Sequence, residues 1–231
     1  MSVHPFAKSY NRLAIAKIEF DFFKSRATPE VIQRHCDEIP RFKPLEQIFS
    51  FFIDDKDADR LQLWFGKRSM FRQDHQGAVA AEQGPCLVYS FGPTGVVAIA
   101  LFPAKSSLAS TIEDHLYLDI GFFSGFQLSD RLPRDIAKLV AYGHVTSLDG
   151  DPTLWERIRI GWLRWTRPTQ LEGQFAGAAL WKAMYRVVEF LTRMAGGAFL
   201  GALLRPWGIA IALLIAAYFG WPHIAALITH K

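Results

Sequence analysis

Charge is missing from the end of this chain: after Arg205 there is no Asp, Glu, Lys or Arg until Lys231, and Arg205 is the only charged side chain in residues 194–230. So long an uncharged stretch excludes a solvated loop or an ordinary surface helix and calls for either a protein core or a bilayer. Cysteine is scarce as well. Cys36 and Cys86 are the only two, fifty residues apart, which excludes a disulfide framework and a CxxC metal site and points to a reducing compartment. No clean secretory leader is expected, because the apolar residues after Arg12 are interrupted by Lys17, Glu19 and Asp21. A net charge of +4 without any run of Lys and Arg argues against nucleic acid as a partner but suits a surface beside anionic headgroups.

Motifs of cofactor chemistry are missing too. Asp55, Asp57 and Asp59 stand at the first, third and fifth positions of a calcium loop, but Arg60 occupies the sixth, where Gly is needed, and Gly66 the twelfth, where Glu belongs. His35-Cys36-Asp37-Glu38 has no second ligand pair at metal spacing. Gly92 and Gly95 bracket Pro93 and lead into a strand rather than a helix N-terminus, so they form no phosphate loop. There is no GxSxG elbow, internal repeat or low-complexity tract. Neither a cofactor nor a metal is expected.

What is present reads as an α+β domain, a small antiparallel sheet flanked by helices, over residues 1–172. Residues 1–66 are expected to be helical. Phe6, Tyr10, Leu13, Phe20 and Phe23 share a helical face, although "KIEFDF" alternates like a strand. Thr28 and Pro29 begin a second helix that stops by Pro40. A third pattern covers about 45–65, with polar "DDKDADR" breaking or exposing its middle. From about 77 to 127 the β-branched and aromatic runs "CLVYSF", "VVAIALF" and "HLYLDIG", punctuated by Gly and Pro, predict a three- or four-stranded meander with a hairpin loop at 92–95. Helices return over 129–167. Pro133 starts one, and Asp151 and Pro152 start another whose Leu154, Ile158, Trp162 and Trp165 stack on one face.

Two further segments follow. Over 175–204, Lys182, Arg186, Glu189 and Arg193 fall at spacings of four, three and four, one narrow polar stripe on an otherwise apolar helix that suits the headgroup layer or the wet face of a core helix. Gly197 and Gly201, beside Ala198 and Ala202, form small-xxx-small pairs that would let two helices approach in lipid, so a homo-oligomer is weighed. Residues 206–228 are long enough to span a bilayer about 30 Å thick. Their nine Leu, Ile and Phe side chains favour insertion by roughly 3 to 5 kcal/mol, partly offset by Pro222 and His223. Trp207 and Trp221 suit the two interfaces. Arg186, Arg193 and Arg205 precede the stretch and only Lys231 follows it, an asymmetry that keeps the preceding domain cytoplasmic.

The site candidates lie on the strand beginning at His115. Alternation places His115, Tyr117 and Asp119 on one face and Leu116, Leu118 and Ile120 on the other, so the first three could line a site with His115 as base or ligand, joined by Cys86, Ser90 or Glu113. A sheet with one wet face makes the same pattern without any chemistry. The leading expectation is therefore a tail-anchored membrane protein, lipid bilayer its first partner, whose cytoplasmic domain senses or docks a protein or ligand and whose membrane helices oligomerise or act on the bilayer. A membrane-tethered enzyme for a lipid or nucleotide substrate and a membrane-tethered adaptor are the alternatives.

Overall fold

A computed structural model describes residues 7–73, 77, 79–171 and 174–176 of the chain. It opens with three helices, α1 (Ala7–Arg26), α2 (Pro29–Asp37) and α3 (Phe42–Phe49). In α1 the helical spacing of Phe20 and Phe23 wins over the local alternation, because both are buried, as is Ala27 just past the helix end, while Tyr10 at the other end of the same stripe stays exposed. Helix α2 begins as its sequence says: Thr28 accepts a hydrogen bond from the Val31 amide, and Pro29 occupies the first turn.

The expected helix over 45–65 is present only as far as Phe49. Helix α3 ends at Phe49, Ser50 adopts a left-handed φ of 57°, and the chain returns as an antiparallel hairpin, β1 (Phe51–Asp54) and β2 (Arg60–Phe65). The polar "DDKDADR" supplies its loop. In β2 the period of two is plain: Leu61, Leu63 and Phe65 are buried, and Arg60, Gln62 and Trp64 face away. Next come β3 (Lys67–Gln73), β4 (Val79–Gln83), β5 (Cys86–Phe91), β6 (Val97–Phe102), the short β7 (Lys105–Ser106) and β8 (His115–Gly121). Strands β5 and β6 form the expected hairpin, closed by bonds from the Gly92 amide to the Val96 carbonyl and from the Gly95 amide to the Gly92 carbonyl. Gly95 holds a φ of +82° there, a conformation that L side chains resist.

Two helices and a last hairpin complete the described chain: α4 (Gly125–Thr146), α5 (Leu154–Thr166), β9 (Thr169–Leu171) and β10 (Gln174–Ala176). Pro133 is inside α4 and does not begin it; the start is a capping box of Ser124 and Gln127. A second capping box, Thr153 with Glu156, starts α5, so Asp151 and Pro152 lie just outside. Residues 175 and 176, expected to open the amphipathic helix, are in a strand. The remainder of that helix and the stretch 206–228, with Lys182, Arg186, Arg193, Gly197, Gly201, Arg205, Trp207 and Trp221, lie outside the described residues. Among the described residues no helix is long and apolar enough to cross a membrane.

The strands make two antiparallel sheets rather than one small meander. Seven form the order β1-β2-β5-β6-β8-β9-β10, and β3-β4-β7 form a separate three-stranded sheet. Leu61, Leu63, Phe65, Leu87, Tyr89, Val97, Ile99, Leu101, Leu116 and Leu118 point from the large sheet into one core shared with Phe20, Phe23, Ile32, Phe42, Leu45, Leu128, Ile136, Leu139 and Ile160 of the helices. Helices α1 and α4 meet closely at Gly125, where a Cβ would come within 2.6 Å of the Glu19 carbonyl oxygen and of the Phe22 ring.

Buried polar groups fix α4 in this layer. Asp135 is fully buried and accepts hydrogen bonds from the Tyr89 hydroxyl at 3.0 Å, Arg131 Nε at 2.8 Å and Lys138 Nζ at 2.8 Å. Burial next to this carboxylate pushes the Tyr89 phenol well above its ordinary pKa, so it remains a donor. Replacing Asp135 by Ala leaves two cations and a buried hydroxyl without their acceptor. We expect Asp135→Ala to lower stability by about 3 kcal/mol in denaturant titration, and Asp135→Asn to lose less because the amide oxygen still accepts. A loss under about 0.5 kcal/mol, the range of an ordinary surface substitution, would contradict that role.

Candidate functional site

Helices cover one face of the large sheet. On its other face a groove of about 360 Å³ runs between His115, Tyr117 and Phe102 on one side and Asp57, Asp59 and Arg60 on the other, over a floor of Val88, Ser90, Ala98 and Ala100. Its cause is side-chain size. Small residues occupy the outward positions in the middle of β5 and β6, and larger ones stand on β2 and β8 beside them. The imidazole of His115 lies edge-on to Tyr117, with ring centroids 4.8 Å apart, and 5.0 Å from Phe102. Partial burial lowers the His115 pKa, with Asp114 and a hydrogen bond to Gln170 opposing and Lys105 adding to the shift, so the ring is neutral at neutral pH.

The acidic wall is already neutralised. Lys17 Nζ donates to the Ala58 carbonyl at 2.7 Å and to Asp59 at 2.9 Å, Lys24 Nζ donates to the Asp55 and Asp57 carbonyls, and Arg60 pairs with Asp57 at 2.9 Å. The Arg60 hydrogen bond holds the Asp57 carboxyl below its usual range. Two ammonium groups from α1 thus stand where a calcium loop would hold its metal. Among the described residues no group of three or more His, Cys, Asp and Glu side chains could hold a metal ion.

Of the three expected site residues the structure brings His115 and Tyr117 together and turns Asp119 away. The pairing of β6 with β8 slips between Ile99 and Ala100, which face Asp119 and Tyr117 respectively, so β8 carries one extra residue at Leu118. A bulge of this kind shifts the alternation by one place. Asp119 therefore meets Arg131 of α4 at 3.1 Å and Arg167 at 3.9 Å, and Ile120, expected in the core, is exposed. Glu113 is also elsewhere. It is buried, accepts from the Tyr142 hydroxyl at 2.7 Å and from Arg164 Nε at 2.8 Å, and raises the Tyr142 pKa together with burial, the larger cause. Ser90 does reach the groove.

Cys86 offers no nucleophile. Burial pushes its thiol up to about 12, and Cys36 likewise. His35 Nδ1 lies 3.5 Å from a Glu38 carboxylate oxygen at the end of α2.

Charged residues that the sequence reading passed over hold the domain together. Glu82, buried on β4, pairs with Arg68 at 2.6 Å and accepts from the Leu148 amide at 2.8 Å and the Ser147 hydroxyl at 3.2 Å, tying the small sheet to the end of α4. Glu82 and Glu113 border a partly open cavity of about 140 Å³, where both Glu82 oxygens and Glu113 Oε1 already accept hydrogen bonds. The signal for Asp135 was available: it lies in the stripe of Leu128, Leu132, Ile136 and Leu139, with Arg131 four residues before and Lys138 three after.

Comparison of the chain with protein-family models, with curated proteins and with solved structures finds no match.

Two measurements check this chemistry. Neither cysteine should react with a thiol reagent at neutral pH while the protein is folded, and both should once it is unfolded; rapid labelling of the native protein contradicts the burial. The His115 ring should titrate by NMR below free imidazole. The unfolded chain then binds that proton more tightly, so the group's contribution to stability is present above the ordinary imidazole pKa and is lost as pH falls through it toward the folded value. A midpoint above the ordinary value reverses the sign.

Proposed function

We propose that the chain is a membrane-tethered docking protein, whose α+β domain takes a partner or ligand on the uncovered face of its large sheet and whose C-terminal stretch 206–228 holds it in the bilayer. The observation that carries this reading is the groove. A seven-stranded sheet of this kind closes a core on its helical side, and what remains on the other side is a trough with a small apolar floor, an imidazole and a phenol on one wall and an ion pair on the other. That lining suits a flat, mainly apolar group with one polar edge, such as a side chain of a docked segment. The tether rests on the sequence, which has a span of bilayer length without Asp, Glu, Lys or Arg, cations before it and one Lys after it. The chain stays on the cytoplasmic side of that membrane, and docking is relayed to the membrane segments through self-association or disturbance of the bilayer.

Binding is favoured over catalysis by the state of the candidate groups. His115 and Tyr117 stand without Asp119, and both thiols are held protonated. An expression series separates the readings. Growth inhibition by the full chain should disappear when 206–231 are deleted and when Ala98→Trp fills the groove, and should weaken without disappearing in His115→Ala, which trims one wall. Inhibition that outlasts the deletion but is lost in His115→Ala overturns docking in favour of a soluble catalytic activity. The tether has its own check: the full chain should pellet with membranes and resist carbonate, and release by carbonate overturns it.

A further inference from the structure

Five of the seven large apolar residues of α5 do not face the core. Leu154, Trp155, Ile158, Trp162 and Trp165 are 71%, 78%, 51%, 47% and 42% exposed, while the helix docks through Ile160 and Leu163 on its opposite side. At 100° per residue the five fall within an arc of about 100°. Arg157 borders the arc on one side and Arg159 on the other. Both are exposed, and neither forms an ion pair among the described residues, whereas Arg164, turned inward, is spent on Glu113. Three exposed tryptophans in one stripe mark a surface that meets a partner or a membrane.

We infer that this stripe of α5 rests on an anionic lipid surface, with its tryptophans and aliphatic side chains at the boundary of headgroups and acyl chains and Arg157 and Arg159 among the headgroup anions. Three observations choose lipid over another occupant. Tryptophan is the side chain best suited to that boundary, being apolar in body with one N–H to give to water or headgroup oxygens. The flanking charges are both positive and both unneutralised, the complement of an anionic leaflet. The chain after Ala176 is the most apolar part of the molecule and carries five cations against one anion. The inference rests on the membrane tether proposed above in one respect, that the tether keeps α5 close to a bilayer. It adds which face of the domain meets the lipid.

The test uses the full chain with a single reporter. Cys36 and Cys86 are buried and their thiols are pushed up to about 12, so a fluorescent thiol probe attaches only to an added cysteine. Ile158→Cys reports the stripe, and Asp55→Cys, in the loop between β1 and β2, serves as the control. Labelled protein is added to vesicles of phosphatidylcholine alone or with phosphatidylglycerol, floated, and exposed to aqueous iodide. On the anionic vesicles the 158 probe should be quenched several-fold less than the 55 probe. Arg157→Glu with Arg159→Glu should lower the ratio of docked to undocked helix by roughly fivefold for each arginine removed, without touching a packed residue.

Protein that floats and resists carbonate while its 158 probe stays as accessible as the control overturns the inference and leaves the tether standing. Equal shielding on both lipids also overturns it, because the face is then covered by protein, a second copy if shielding rises with protein density. Shielding on anionic vesicles in protein that carbonate releases supports the inference and removes the tether. A chain that does not float loses both.

Discussion

Asp135 is the group on which the arrangement of layers depends. A carboxylate taken wholly out of water is costly unless its oxygens are bonded, and here one oxygen takes Lys138 and the other takes Arg131 and Tyr89. Arg131 and Lys138 come from the same helix, but Tyr89 comes from β5 in the middle of the sheet, so the bonds hold only when α4 lies at one height and one rotation on the strands. Arg131 then reaches Asp119 of β8, and about two turns beyond Asp135 along α4 Tyr142 repeats the device with Glu113 and Arg164 of α5. Apolar packing would let α4 slide; these bonds give it a register.

Fixing the helices on one side of the sheet leaves the other side to be explained by its own side chains. Outward positions on β5 and β6 are Ser90, Val88, Ala98 and Ala100, too small to cover the backbone fully, and the groove is what their size leaves behind. Charged residues that look functional in one dimension turn out to be supports in three. Lysines of α1 neutralise the acidic hairpin loop, and Asp119 belongs to the helix layer. The same one-sidedness shapes α5. Arg164 is drawn in to Glu113, Ile160 and Leu163 follow it, and the larger aromatic face is left outside.

Short-range chemistry was legible where it acts within a few residues. Thr28 and Pro29 announced α2, the 92–95 loop announced the hairpin of β5 and β6, and the α+β class followed from the change in character at the middle of the chain. A local pattern that admits two periods does not choose between helix and strand. Residues 45–65 carry enough apolar side chains for a helix, but Leu61, Leu63 and Phe65 alternate, and it is pairing with β5, whose Cys86–Ser90 folds back onto Arg60–Trp64 of β2, that makes the strand the better burial. The α5 stripe misleads in the opposite way, since the helix is right and its inward face is the less apolar one.

What the amino-acid order determines by itself is the uncharged end of the chain, the wide spacing of the two cysteines, the start of α2 at Thr28 and Pro29 and the absence of metal and phosphate motifs, because each depends on composition or on neighbours a few residues away. Which of His115, Tyr117 and Asp119 share a surface was decided only by tertiary structure. One extra residue at Leu118 is invisible in an alternating sequence, yet it arises because Asp119 gains two arginines by facing the helices and Ile120 can be spared from the core. The pairing energy of distant groups, not the local pattern, selects the side of a sheet on which a residue stands.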